Sequence, residues 1–114
     1  MAIPSGGGTE VLKRFIKDGQ DDTETKAIDG VANHIYTVIS IIAKSRTGTD
    51  KEFYVRIAPD AGTQVTLFSP DVPAAGTFVI NDRFVLSGTD ELVIDAEASA
   101  DFDVIVSYID QDWT

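Results

Sequence analysis

The sequence predicts an all-β fold: an antiparallel β-sandwich, jelly-roll or Ig-like, with an extended N-terminal arm. Three observations predict it. Short runs rich in Val, Ile, Phe and Thr recur along the chain, broken by Gly, Pro, Asn and Asp at spacings of about 8 to 12 residues. Several runs alternate apolar and polar residues with period 2. No segment of helical length and period intervenes, so nothing points to a βαβ arrangement. The 114 residues suffice for one core. The expected division is an arm over residues 1–8 and a single sandwich over residues 9–114.

The elements follow in chain order. Gly6, Gly7 and Gly8 lose too much entropy inside a regular element, which makes the opening segment an arm. Residues 9–17 form the first strand, with Val11, Lys13 and Phe15 on one face and Leu12, Arg14 and Ile16 on the other. Both faces carry apolar residues, and Glu, Leu and Lys also admit a helix. Asp18-Gly19 reads as a turn. The polar stretch from Gln20 to Gly30 reads as a loop or short strand. Residues 34–43 are the most hydrophobic run. Their β-branched density argues for strand, and apolar residues on both faces predict a central strand covered on two sides.

Residues 51–58 alternate cleanly, with Phe53, Val55 and Ile57 facing one way and Glu52, Tyr54 and Arg56 the other. Residues 59–62 form a turn opened by Pro59. Residues 63–69 give a strand with Val65 and Leu67 inward. Pro70 and Pro73 bar residues 70–76 from an interior strand. Strands follow at 77–80 and 83–86. In the next run, Leu92, Ile94 and Ala96 alternate with Val93, Asp95 and Glu97. The strongest pattern is the last: Phe102, Val104, Val106 and Tyr108 on one face, Asp103, Ile105, Ser107 and Ile109 on the other.

The chemistry of the side chains narrows the function classes. With no cysteine, disulfides and thiolate chemistry are excluded. The net charge of −10 disfavours nucleic acid and anionic membrane surfaces as partners. No apolar run is long enough to span a bilayer as a helix, and residues 1–8 lack the features of a signal peptide. The single histidine, His34, opens an apolar strand and is expected to make an ordinary strand-end hydrogen bond, not to serve a catalytic triad. Asp21, Asp22 and Glu24, or Asp101 and Asp103, are the only calcium candidates, and neither stretch has EF-hand spacing. No enzyme activity, cofactor or metal is therefore expected. From Asp90 onward every charge is acidic, which reads as a solvated face or as a rim that meets a basic partner. Trp113, the only tryptophan, either folds back on its own sheet or anchors in a neighbouring subunit.

Three stretches carry a family resemblance. Residues 2–14 (Ala-Ile-Pro-Ser-Gly-Gly-Gly-Thr-Glu-Val-Leu-Lys-Arg) resemble the start of small virion proteins of tailed bacteriophages. Residues 86–94 (Leu-Ser-Gly-Thr-Asp-Glu-Leu-Val-Ile) and 103–112 (Asp-Val-Ile-Val-Ser-Tyr-Ile-Asp-Gln-Asp) are similar to their endings. In those proteins a Leu-x-Gly-x-Asp-x-Leu turn and a terminal Val-x-Val-Ser-Tyr strand close a β-sandwich. The resemblance implies a virion structural protein, a cement or decoration protein that binds the capsid exterior and clamps capsomers. A tail, neck or fibre module and a carbohydrate-binding adhesion domain are the alternatives. The implied partners are the major capsid protein or other virion proteins and further copies of the chain, with a trimer as the favoured homo-oligomer. The implied location is the capsid surface, after synthesis in the host cytoplasm. Candidate partner-contacting residues are Ile3, Pro4, Val11, Leu12 and Arg14 near the start and Tyr108 and Trp113 near the end.

Overall fold

The computed structural model describes residues 9–113, so the predicted arm over residues 1–8, with Ile3 and Pro4, lies outside the described residues. Ten strands follow in order: β1 (Thr9–Gln20), β2 (Thr25–Asp29), β3 (His34–Ser45), β4 (Lys51–Ala58), β5 (Val65–Phe68), β6 (Asp71–Val72), β7 (Thr77–Ile80), β8 (Phe84–Ser87), β9 (Glu91–Ala96) and β10 (Phe102–Asp112). One turn of 3₁₀-helix, Pro59–Ala61, follows β4. Every strand pair is antiparallel.

The front sheet runs β1-β10-β3, with β7 and β8 pairing with successive parts of β3. The back sheet runs β2-β9-β4, with β5 and β6 sharing the edge of β4. If each split edge counts as one strand, this is the eight-strand, two-sheet order of a jelly roll. The immunoglobulin-like alternative is excluded, because there the first strand does not lie beside the last with the third on its far side.

Period-2 alternation puts one row of each strand into the space between the sheets. The front sheet contributes Phe102, Val104 and Val106 from β10, Val38, Ile41 and Ala43 from β3, Ile80 and Leu86. The back sheet meets them with Phe53, Val55, Leu92, Ile94 and Ala96. The Phe53 and Phe102 rings are tilted against each other, 5.1 Å apart, at the centre. Burying a side chain of that size is worth about 1.5–3 kcal/mol.

Three expectations need correction. The first strand does not end at Lys17. It continues to Gln20, and Asp18-Gly19 forms a bulge against β10, not a turn. Gly19 adopts φ +78°, where a side chain would be strained. The turn falls later, where buried Gln20 donates its amide to the carbonyls of Asp21 and Thr23, at 2.9 and 2.6 Å. Second, β3 is central in its sheet but covered on one face only. Its inner row is fully buried, whereas Ile42 on its outer row is exposed. A bulge near Ile39 and Ser40 keeps both halves of the strand in phase with the core. Third, Val65 and Leu67 are exposed, and Phe68 is the β5 residue that packs on the core. A register shift between Val55 and Arg56 sets that phase. Within the stretch that reads as a loop or short strand, residues 25–29 form the short strand, β2, beside β9.

The β2–β3 connection passes very close to the β8–β9 turn. The Gly30 N–H donates to the Asp90 carbonyl at 3.0 Å. A Cβ on Gly30 would stand 2.2 Å from the carbonyl oxygens of both Asp90 and Gly88. These are backbone atoms that cannot swing aside. Asp90 closes the turn itself by accepting the Ser87 N–H at 3.1 Å, and its other oxygen accepts the Asp60 N–H at 2.9 Å. Gly30→Ala is therefore expected to cost about 3 kcal/mol of stability by overpacking, measured as a shift of the urea unfolding midpoint. A midpoint within error of the parent would show that the two turns do not need this approach.

Candidate interaction surface

The outer side of the front sheet is the largest feature that the protomer leaves unsatisfied. The register sorts its side chains into rows that run across the strands. One row reads Leu12, Ile109, Thr37 and Val85, from β1 through β10 and β3 to β8. Another reads Ile16, Ile105, Ile42 and Val79, ending on β7. Between them lies a polar row of Arg14, Ser107 and Ser40. Leu12 is 72% exposed, Ile16 59%, Val85 58% and Val79 49%. A single exposed leucine needs no explanation, but two aligned apolar rows on one flat sheet do. A shallow groove of about 570 Å³ lies between Ile16, Ile42 and Ile105, and a second of about 500 Å³ lies beside Leu12, Arg14 and Ile39.

The outer side of the back sheet differs in chemistry. Lys26 pairs with Glu91 at 2.8 Å, and Arg56 pairs with buried Asp95. The Arg56 guanidinium also lies 4.8 Å over the Tyr54 ring. The Tyr54 hydroxyl donates to Glu52 at 2.7 Å, a bond that pushes its pKa up to about 12. Val93 is buried in this layer. The central strands of the back sheet thus pair their own outward charges, with exposed apolar residues confined to the β5 edge (Val65 and Leu67), and the front face exposes apolar rows.

One end of the front sheet is held by charge. Asp110 shares the inward row of β10 and is buried. It accepts the Lys13 ammonium at 2.8 Å through one oxygen and faces His34 Nδ1 at 2.7 Å through the other. His34 Nε2 lies 3.5 Å from Asp112, so each ring nitrogen faces a carboxylate. The His34 ring stacks on Tyr36, with centroids 5.8 Å apart, and the Tyr36 hydroxyl accepts the Val31 N–H at 3.0 Å. Burial alone would push the Asp110 carboxyl up, but hydrogen bonds from Lys13 and His34 outweigh it and hold the group below the usual carboxylate range. The same bond to Asp110 raises Lys13. At the opposite end the Arg46 guanidinium gathers Asp18 at 2.9 Å, Asp103 at 3.3 Å and Asp101 at 3.8 Å, and these carboxylates raise it further.

The acidic stretch after Asp90 is thus not simply a solvated rim. Asp95 and Asp110 are buried, and Glu91, Asp101 and Asp103 engage the chain's own cations. One calcium candidate, Asp101 with Asp103, is occupied by Arg46. In the other, Asp21 accepts the Thr23 N–H at 2.9 Å, which lowers its carboxyl.

The structure divides the predicted contact residues. Leu12 and Arg14 lie together on the outer front face. Val11 is exposed, but it sits on the inward-facing row at the far end of β1. Tyr108 packs against the core beside Tyr36, with ring centroids 6.1 Å apart, on the side away from Leu12 and Arg14. Trp113 is half-buried, and its backbone N–H donates to the Asn33 carbonyl at 3.0 Å, which holds the tail to its own chain. Sequence reasoning missed Ile16, Ile42, Ile105, Ile109, Val79 and Val85. Their signal was present: both β1 and β3 carry apolar residues on two faces.

No protein-family model matches the sequence, and no curated protein matches it. Several solved structures align with it. A protein described in "Bacillus endospore appendages form a novel family of disulfide-linked pili" aligns with all of this chain and 97% of its own, at 18% identity and a TM-score of 0.60. A pentameric capsid protein from metagenomic phage sequences covers 89% of this chain and 61% of its own, at 14% identity and a TM-score of 0.47. The globular domain of zebrafish complement 1qA covers 89% of this chain and 94% of its own, at 14% identity and a TM-score of 0.48. The first of these shows that the two-sheet fold is shared along the whole chain.

The Asp110 cluster generates a pH prediction. A carboxyl held below its unfolded value of about 3.9 adds stability above that pH and loses it as pH falls through the folded value. Lys13 acts in the opposite sense: its contribution is complete below about pH 10.4 and is lost as pH rises through its raised value. Asp110→Asn is expected to lower stability by about 1–2 kcal/mol at pH 7. The gap to the parent should close in denaturant titrations below about pH 4. A gap that stays constant down to pH 2 would rule out the ionised carboxylate as its source.

Proposed function

We propose that the chain is a structural subunit of a tailed-bacteriophage particle that adds to the outside of the capsid shell and holds neighbouring capsomers together. The observation that carries this reading is the asymmetry of the two outer faces. A protein that acts alone in solution covers or charges both faces, as this one does on its back sheet. The front sheet presents two apolar rows instead, a surface suited to another protein. The resemblance of residues 2–14, 86–94 and 103–112 to small virion proteins supplies the kind of particle. The net charge of −10 keeps an unassembled subunit soluble until it adds to the shell.

In this reading the chain performs no catalysis. Many weak contacts, repeated over a shell, stabilise the assembled state by mass action. Its place is the capsid surface, after synthesis in the host cytoplasm.

Cryo-electron microscopy of particles carrying the chain tests the proposal. Density for the sandwich is expected on the outer shell at capsomer junctions; density confined to the tail or neck would overturn it. Removing residues 1–8 leaves every strand among the described residues in place. The shortened chain is expected to keep its melting temperature within about 2 °C but to bind shells at least tenfold more weakly in a pelleting assay. Unchanged binding would remove residues 1–8, and with them Ile3 and Pro4, from the contact.

A further inference from the structure

We infer that the apolar outer face of the front sheet is a two-fold interface between two copies of this chain, packed face to face. The inference rests on the reading of the chain as an assembling subunit, but not on the identity of the particle. Three features of the face select a second copy as its occupant.

The first is size. Strands β1, β3 and β10 run for 12, 12 and 11 residues. At about 3.3 Å per residue and about 4.8 Å between strands, the four-column sheet offers a face of about 700 Å². A stable interface buries about 800 Å² on each partner.

The second is the order of side chains along the rows. Consider a two-fold axis parallel to the strands, running between β10 and β3. It sets each row against the same row of the partner and exchanges the columns, within the usual twist of about 30° between packed sheets. Ile105 then faces Ile42 of the second copy, Ile16 faces its Val79, and Leu12 faces its Val85. In the middle row Ser107 faces Ser40. In the last row Asp103 faces Lys44. At these positions apolar meets apolar, hydroxyl meets hydroxyl and acid meets base, Ile109 lies against the Thr37 methyl side of the second copy, and each contact occurs twice. A two-fold axis along the rows would instead bring Glu10 of one copy to the end of β1 that carries Asp18 in the other, acid against acid.

The third is that one competing open element, the outer edge of β1, is guarded. Among the described residues β1 pairs only with β10, so its other edge is free. That edge carries an inward-pointing lysine, Lys13, and the bulge at Gly19, devices that discourage strand addition. The face has no such guard.

Sedimentation of the purified chain, without particles, tests the inference. A species of twice the chain mass is expected at micromolar concentration. Ile105→Glu, at the centre of the face, is expected to give a monomer with unchanged far-ultraviolet circular dichroism. Asp103→Lys alone and Lys44→Asp alone should each weaken self-association at least tenfold. An equimolar mixture of those two variants should regain it, because each copy then offers the charge its partner lacks. A monomer or trimer for the parent, a dimer indifferent to Ile105→Glu, or a mixture that does not regain association would overturn the inference. A dimer that fails to bind shells would leave the interface standing and remove the capsid proposal. A monomer that decorates shells would do the reverse.

Discussion

A β-strand must satisfy two faces at once, and two packed sheets have four. The core takes the inner pair, and the rest of the molecule follows from what happens to the outer pair. On the back sheet, long charged side chains lie across the strands and pair with one another, so Val93 and Asp95 are buried without a second layer of protein. On the front sheet the equivalent positions hold Leu12, Ile16, Val79 and Val85, which stand exposed. The chain therefore carries one surface finished by chemistry and one suited to a neighbour.

The charged groups that remain near the front face sit at its ends. The Asp110 cluster closes one end and Arg46 with its three carboxylates closes the other. Both clusters tie β1, β10 and β3 together at points where the ladder would otherwise fray. A fixed sheet between them is useful for packing against another sheet, because a face that breathes loses complementarity. A net charge of −10 and an apolar face also coexist without conflict. The acids are pulled inward, to the rims or to the back, and leave Arg14 and Lys44 as the cations within the rows.

The strand framework was legible because alternation is a local property. Phe53, Val55 and Ile57, or Phe102, Val104 and Val106, announce their inner face without reference to any other strand. Two things were hidden. Bulges shift phase, and nothing in residues 17–20 or 39–40 distinguishes a bulge from a turn or a plain strand until a partner strand sets the register. Whether a second apolar face is covered by the same chain or by another also depends on tertiary arrangement. Ile42 and Ile16 read as core because their pattern is that of core. Tyr108 and Trp113 drew notice as aromatics near the end, yet register puts one inside and the Asn33 carbonyl holds the other. Leu12 and Arg14 were placed on the binding surface by resemblance, and the structure sets them on the exposed face.

The position of β10 has a consequence for how the molecule is made. The first and third strands never pair with each other; both pair with β10, across registers that join Leu12 to Ile109 and Ile42 to Ile105. Until residues 102–112 have been synthesised, β1 has no partner in the front sheet, and β3 is joined only to β7 and β8. Folding must wait for these residues and then close contacts about 60 to 100 residues apart in sequence, the slow, non-local kind. The nascent chain is thus open to misassociation until this strand inserts, and it presents the face on which copies assemble only once the sheet is complete.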